Sequence, residues 1–168
     1  MVADRPPFED VYREYLGRVY AYVRAQVATA ADAEDITAQV FMNAYQAYPR
    51  FEARNLTPAA WLFRIARNAT LDHFRSQGRR ERLRRTIEHQ PMAEENPESK
   101  AEERIQYRAL LEQVAKLPER QRDAISLRHS GLSFDEVGKL LKCSEDAAKM
   151  LYHRAVKALQ EAAAKEGV

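Results

Sequence analysis

The chain has 168 residues and a formal net charge of +2, with 31% charged and 45% hydrophobic residues, as in an ordinary soluble globular protein. Its length allows one domain or two small ones. Few glycines among many Ala, Leu, Glu, Arg and Gln residues favour an all-α fold. A single cysteine excludes an internal disulfide and fits a reducing cytoplasm. No apolar run approaches membrane-spanning length and residues 1–7 do not form a signal peptide, so we expect no membrane contact.

Charged residues are concentrated in two sequence blocks of opposite sign. From Arg64 to Arg85, eight arginines stand against two acidic residues, and from Glu94 to Glu103, five glutamates stand against one lysine. Adjacent basic and acidic blocks indicate surfaces for different partners, and arginines beside aromatic residues suit phosphates and exposed bases. A solubilising linker with uneven charge is the alternative interpretation.

The first predicted domain covers residues 1–77. Apolar residues recur at helical spacing over 8–27 and again over 36–48, which predicts two helices. Thr29 supplies an N-terminal cap for the second helix. Pro49 is expected to stop that helix.

A third helix and a linker follow. Thr57 and Pro58 give a cap and a first-turn proline. The apolar stripe then runs from Trp61 to Phe74, and Gly78 is expected to end the helix. Residues 78–98 show no apolar periodicity and predict a flexible linker.

The second predicted domain, residues 99–168, contains four helices. Ser99 opens the first helix with a capping box. Pro118 is placed at the first position of the second helix, where its missing N–H costs nothing. Gly131 breaks the apolar pattern before the last two helices.

The last two helices predict a helix-turn-helix. Ser133 and Glu136 form a capping box, a turn surrounds Cys143, and the final helix begins near Glu145. Its predicted outward face is basic, with Lys149, His153, Arg154 and Lys157. This arrangement places one helix in a DNA major groove. A generic helical hairpin with a solvated basic face is the alternative.

The sequence offers no catalytic constellation. Its four histidines are scattered, and none pairs with Cys143 or an acid at metal-ligand spacing. No glycine-rich phosphate loop or nucleophile elbow is present. Cys143 is interpreted as a small apolar filler, and Asp32, Glu34 and Asp35 suit a helix N-terminus better than a metal. We therefore predict a protein that is not an enzyme and needs no cofactor or metal.

Segments of both domains carry a family resemblance. Their order and spacing resemble those of bacterial RNA polymerase sigma factors of the extracytoplasmic-function (ECF) group, the minimal two-domain members of the sigma-70 family. The matching segments are Asp32–Phe41, Arg50-Phe51, Trp61–Asn68 with Asp72–Arg75, Leu117–Arg122, Gly131–Val137, and Lys149 followed by His153-Arg154-Ala155.

The resemblance implies a transcription initiation factor. Such a factor binds core RNA polymerase, directs it to promoter DNA and helps to melt the start region, and an anti-sigma factor is an expected further partner. The second helix of the first domain then faces the polymerase, through Asp35, Gln39, Met42 and Tyr45. Core packing is the alternative for Tyr45.

The resemblance also assigns the minus-ten promoter element to the first domain. The loop over residues 50–55 would take a flipped base, the arginines would hold phosphates, and Asn68 would meet a base edge. The implied residues are Phe51, Arg54, Asn55, Trp61, Arg64, Arg67, Asn68 and Arg75. For Trp61, a place in the core is favoured over a stacking platform. The acidic linker would thread toward the polymerase active centre.

The second domain would read the minus-thirty-five element with its final helix, through Ser144, Glu145, Lys149, Met150, His153 and Arg154. Three positions depart from the family pattern. Ala38-Gln39 stands where Gln-Glu is frequent, and Met150-Leu151 replaces a small polar residue and an arginine. No glycine occupies the turn at Lys142-Cys143. Met150 is suited only to a thymine methyl or a sugar edge.

Two other functions remain open from the sequence. A sigma-like interaction protein would occupy an anti-sigma factor and bind little DNA, which the altered final helix allows. A stand-alone helix-turn-helix regulator would have no use for the arginine-rich third helix or the acidic linker.

Overall fold

The computed structural model describes residues 5–51, 56–83 and 101–165, and side chains only outside 78–83 and 101–102. Within these ranges the secondary structure is helical, as predicted. Contacts between Cα atoms divide the chain into two units, residues 1–93 and residues 94–168. Each unit is described by itself.

The first unit packs three helices against one another: α1 (Phe8–Gln26), α2 (Ala30–Ala47) and α3 (Pro58–Leu83). Their shared core holds the fully buried side chains of Val19, Val23, Val40 and Leu62, and the rings of Tyr22 and Phe63 meet edge to face at 5.7 Å between centroids. Removing this apolar surface from water is the main stabilising contribution.

Local capping sets where α2 and α3 begin. The Thr29 hydroxyl accepts a hydrogen bond from the Asp32 amide at 3.1 Å, and the Thr57 hydroxyl accepts one from the Ala60 amide at the same distance. Both caps confirm the prediction. The Asp32 carboxylate also lies 3.7 Å from Nε2 of His73, which joins the first turn of α2 to α3.

One predicted helix end in this unit is confirmed and the other is wrong. Helix α2 ends at Ala47, before Pro49, which lies in a following 3₁₀ helix over Tyr48–Arg50. Helix α3 continues through Gly78 to Leu83, because one glycine costs a helix only about 1 kcal/mol and the arginines, glutamate and leucine after it are good helix formers. Residues 78–83 are therefore helix and not linker. The remaining predicted linker, 84–98, and the Ser99 cap lie outside the described residues.

Within residues 101–165, the second unit forms four helices: α4 (Ala101–Ala115), α5 (Glu119–His129), α6 (Phe134–Leu141) and α7 (Glu145–Lys165). Helices α5, α6 and α7 pack on one another around the buried side chains of Leu127, Leu132, Val137, Leu140 and Ala148. Pro118 is the N-cap of α5, one residue earlier than predicted; its carbonyl accepts the Arg122 amide at 2.9 Å. A residue with extended ψ that accepts the first helical bond is a cap, not a helical position.

The turn between α6 and α7 is closed by backbone. The amide of Cys143 donates to the carbonyl of Gly138 at 2.9 Å, and Lys142 adopts a left-handed conformation with φ of 58°. At the other end of α6, both bonds of the predicted Ser133–Glu136 capping box are present, at 3.1 and 2.9 Å. The caps and the turn together orient α7 against α6.

Candidate DNA- and polymerase-binding surfaces

Helix α2 exposes the four residues that the sequence assigned to polymerase binding. Asp35 and Gln39 are exposed one turn apart, and Nε2 of Gln39 donates to Oδ1 of Asn43 at 2.8 Å. Met42 and Tyr45 are 59% and 66% exposed. The core alternative for Tyr45 is therefore wrong: its ring meets Phe8 edge to face at 5.4 Å on the surface. The four side chains form one stripe along the helix, which we call the α2 stripe.

An apolar groove of about 760 Å³ adjoins the α2 stripe. Met42 and Tyr45 line one wall from α2, and Tyr12, Leu16 and Tyr20 line the other from α1. Tyr12 and Leu16 belong to the apolar repeat of residues 8–27, and the structure leaves them 41% and 36% exposed. Glu34 is the acidic residue in this lining. A groove of this kind suits the apolar face of a partner helix.

The residues of helix α3 that are predicted to bind the minus-ten element lie on one side of the helix. Arg64, Asn68 and Arg75 are exposed, and Trp61 and Arg67 are partly exposed. Positions separated by three, four and seven residues share a helix face. Nη1 of Arg75 lies 3.4 Å from the Asp72 carboxylate, a pair that is largely open to water. The result is a strip of hydrogen-bond donors and positive charge, which we call the α3 strip.

The start of the α3 strip rests on an aromatic cluster. The Phe51 ring is buried at 9% exposure, lies 4.8 Å from Trp61 and stacks on Tyr48 at 6.2 Å with 9° between the planes. Trp61 is partly exposed and contacts this cluster, so it is neither a core residue nor an open platform. Arg54 and Asn55, also predicted to bind DNA, lie outside the described residues.

Residues 5–7 attach to this cluster, a contact that the sequence analysis missed. Nη1 of Arg5 donates to the carbonyl oxygens of Tyr48 and Phe51, the second at 3.3 Å, and its guanidinium lies 5.4 Å from the centre of the Tyr48 ring. The Tyr48 hydroxyl donates to the carbonyl of Pro6. Burial raises the pKa of the Tyr48 phenol, an effect that Arg5 partly opposes, so the hydroxyl keeps its proton at neutral pH.

Helix α7 presents a mixed basic face. Met150, His153, Arg154 and Lys157 are exposed, and Lys149 is intermediate, with its ammonium 3.7 Å from the Glu145 carboxylate. The Ser144 hydroxyl accepts the Ala147 amide at 3.0 Å and therefore caps the helix. Ala148 and Ala155 on the opposite face are fully buried. The predicted outward positions of His153, Arg154 and Lys157 are therefore confirmed, and Lys149 is only partly exposed.

Metal-binding clusters and membrane-spanning helices are absent from the part of the chain that the structure describes. Among residues 5–51, 56–83 and 101–165, there is no group of three His, Cys, Asp or Glu side chains that could hold a metal ion. In the same ranges, none of the helices combines the length and apolarity needed to cross a membrane. Cys143 is a partly buried free thiol in the turn before α7.

Comparison with known proteins gives the same order of domains. The sigma-70 region 2 model matches residues 11–80, which span most of α1 to α3, and the sigma-70 region 4 model matches residues 107–159, which span α6 and most of α7. The chain also resembles the solved structure of the sigma factor RpoE in complex with the anti-sigma factor NepR from Bartonella quintana. That similarity has a TM-score of 0.76 and 24% identity over 92% of this chain and 94% of that one, and it supports the fold.

Two relatives extend the comparison. The ECF RNA polymerase sigma factor BldN of Streptomyces coelicolor is 35% identical over 156 residues, which are 90% of this chain and 58% of that protein. The ECF RNA polymerase sigma factor SigF of Caulobacter vibrioides is 32% identical over 160 residues, which are 89% of this chain and 84% of that protein. The chain therefore belongs to the sigma-70 family of RNA polymerase sigma factors, in its ECF group.

Proposed function

We propose that this protein is a transcription initiation factor that binds core RNA polymerase, directs it to a class of promoters and helps to melt the DNA. The observation that carries the proposal is the pairing of an α3 strip of exposed arginines and Asn68 with a separate helix-turn-helix whose α7 face is basic. One surface suits exposed bases and phosphates, and the other suits a duplex major groove. A stand-alone duplex regulator would need only the second.

The α2 stripe is the proposed polymerase-binding surface. It combines the carboxylate of Asp35 and the amide of Gln39 with the apolar side chains of Met42 and Tyr45, all exposed. Large apolar side chains that are exposed beside a groove often mark an interaction site. An anti-sigma factor is a second proposed partner, because the adjoining groove could hold an amphipathic helix of such a protein.

The division of labour on DNA follows from the chemistry of each unit. Along the α3 strip, Arg64, Arg67 and Arg75 supply phosphate contacts to the melted strand, and Asn68 offers both a donor and an acceptor to a base edge. Phe51 is buried, so its proposed role is to support Trp61 and not to touch a base. In the second unit, α7 contacts the minus-thirty-five element.

Under this proposal the chain is not an enzyme and needs no cofactor, because RNA synthesis takes place in the polymerase. A factor that binds core polymerase acts where the chromosome lies, which places it in the cytoplasm. The two predicted domains, residues 1–77 and 99–168, then correspond to the two promoter elements.

Reconstitution with core polymerase tests the proposal. The wild-type protein should co-purify with core polymerase and support run-off transcription from promoters that the resulting holoenzyme selects from a randomised library. Asp35→Arg should weaken core binding by about tenfold, since it puts a positive charge on the proposed interface, without changing the thermal unfolding of the free protein. Glu14→Arg, an equal charge reversal at an exposed position of α1, is the matched control.

The outcomes separate the candidate functions. Wild-type affinity and transcription in Asp35→Arg would show that the docking surface is misassigned. Failure of the wild-type protein to bind core polymerase, with capture of an anti-sigma factor, would favour the interaction protein. Tight duplex binding without polymerase would favour the stand-alone regulator.

A further inference from the structure

We infer that Arg5 is a positioning residue for promoter melting, which it serves by fixing the aromatic cluster of Tyr48, Phe51 and Trp61 at the start of the α3 strip. The inference rests on the proposed function. It assigns a role to residues 5–7, which precede α1 and are not among the residues proposed to contact DNA.

The backbone contacts of Arg5 are the first step. Its guanidinium bonds two carbonyls three residues apart, that of Tyr48 in the first residue of the 3₁₀ helix and that of Phe51 directly after it. The Tyr48 carbonyl also accepts the Phe51 amide at 3.0 Å, and a charged donor such as Arg5 forms a stronger hydrogen bond than a neutral one. Arg5 therefore holds the backbone where the chain leaves α2 toward α3.

The aromatic contacts transmit this restraint to α3. The Tyr48 ring lies beneath the Arg5 guanidinium and stacks on Phe51, and Phe51 packs on Trp61 at 4.8 Å. The hydroxyl of Tyr48 bonds back to Pro6, so the cluster and residues 5–7 restrain each other. Trp61 shares its helix face with Arg64 and Asn68, which places the end of this chain of contacts beside the proposed base-binding groups.

If Arg5 had only a structural role, its contacts would do no more than stabilise the packing of α1 on α2. A positioning role predicts something more specific: loss of Arg5 loosens Trp61 and slows melting, while core binding and closed-complex affinity stay unchanged. Polymerase docking uses the α2 stripe, where Tyr45 reaches the cluster through Phe8 but Asp35 and Gln39 lie nearer the start of α2. The closed complex can be held by α7, so we expect both affinities to be retained.

Trp61 allows a direct measurement because it is the only tryptophan of the chain. In the free protein, Arg5→Ala should increase acrylamide quenching of Trp61 fluorescence, and Arg5→Lys should give an intermediate value because it keeps the charge but not the two-carbonyl geometry. The matched control is Arg13→Ala, which removes an exposed arginine paired with Glu9 on α1. Far-UV circular dichroism of each variant shows whether the helices are retained.

The functional arm uses the reconstituted holoenzyme and a promoter that the wild-type holoenzyme has selected. Permanganate reactivity of thymines should appear roughly tenfold more slowly with Arg5→Ala, the order of effect expected when charge-assisted hydrogen bonds are lost. Core affinity and closed-complex affinity should match the wild type, and Arg5→Lys should recover part of the rate.

Three results would overturn the inference. Unchanged Trp61 quenching in Arg5→Ala would show that Arg5 does not restrain the cluster. Changed quenching with an unchanged melting rate would show that the restraint has no part in melting. An equal loss of core binding and melting would indicate general destabilisation. A wild-type holoenzyme that leaves all thymines unreactive would instead contradict the proposed function, on which this inference rests.

Discussion

At the residue scale, Lys149 and Arg154 lie five residues apart on the outward half of α7, in different surroundings. The Lys149 ammonium is near the helix N-terminus and 3.7 Å from the Glu145 carboxylate, whereas Arg154 is exposed further along. A helix N-terminus with free amides attracts phosphate, and a lysine beside it acts as a point charge. An arginine can bond a guanine edge with two hydrogen bonds.

These surroundings give two different expectations for alanine variants. Lys149→Ala should weaken binding to all sequences about equally and flatten the salt dependence by about one unit. Arg154→Ala should relax the preference at one or two base pairs, by roughly 1–3 kcal/mol. Competition by the holoenzymes over randomised upstream elements at fixed salt measures both effects. Lys165→Ala, at the far end of α7, is the control.

The prediction for Arg154 has a clear counter-result. If Arg154→Ala leaves every positional preference intact, α7 does not read bases through this residue. Promoter choice in this unit would then depend on DNA shape or on Met150, which is 53% exposed and can contact a thymine methyl.

Residue-level prediction from the sequence succeeds where a contact is local. The Ser133–Glu136 box and the Thr29 and Thr57 caps join residues three apart, and all are present. It fails where a contact is distant: Arg5 bonds Tyr48 and Phe51 across 43 and 46 residues, and no spacing rule links them.

At the scale of the element, Gly138 controls how closely α6 approaches the turn. A Cβ built there would lie 2.7 Å from the carbonyl oxygen of Cys143 and 3.1 Å from that of Ser144. Both contacts are with backbone, which cannot rotate away. Gly138 therefore allows the tight turn that brings α7 against α6.

Gly138→Ala should destabilise the second unit by about 1–3 kcal/mol, because overpacking outweighs the better helix propensity of alanine. Gly17→Ala is the control, since a Cβ there meets nothing within 4 Å and should stabilise α1 by up to about 1 kcal/mol. Urea unfolding of the full chain, followed by circular dichroism, compares the two. Equal or greater stability of Gly138→Ala would mean that the turn can shift without cost.

The existence of elements is easier to predict than their faces. The apolar period located α1, but it could not show that Tyr12 and Leu16 would line a groove, because the period identifies an apolar side and not what covers it. The end of α3 was misplaced at Gly78 because an intrinsic preference of about 1 kcal/mol yields to neighbouring residues, whereas the end of α2 before Pro49 was predicted correctly. The left-handed conformation of Lys142 was also not predicted, because a non-glycine residue at positive φ is rare.

At the scale of the whole molecule, the two units carry separate proposed DNA surfaces. Asn68 belongs to the first unit and Arg154 to the second. Substitutions with no shared partners usually have additive effects, whereas residues of one network do not. Additivity therefore tests whether the promoter is bound through two independent contacts.

Asn68→Ala and Arg154→Ala should each weaken binding of the holoenzyme to a selected promoter, and the losses of binding free energy in the double variant should add within about 0.5 kcal/mol. Equilibrium competition against the unlabelled wild-type promoter measures the four affinities of the cycle. Asn68→Ala combined with Arg64→Ala is the internal comparison, because both residues lie on the α3 strip and should couple. An interaction energy above about 1 kcal/mol between Asn68 and Arg154 would contradict independent binding, and would show that one unit changes the way the other engages DNA.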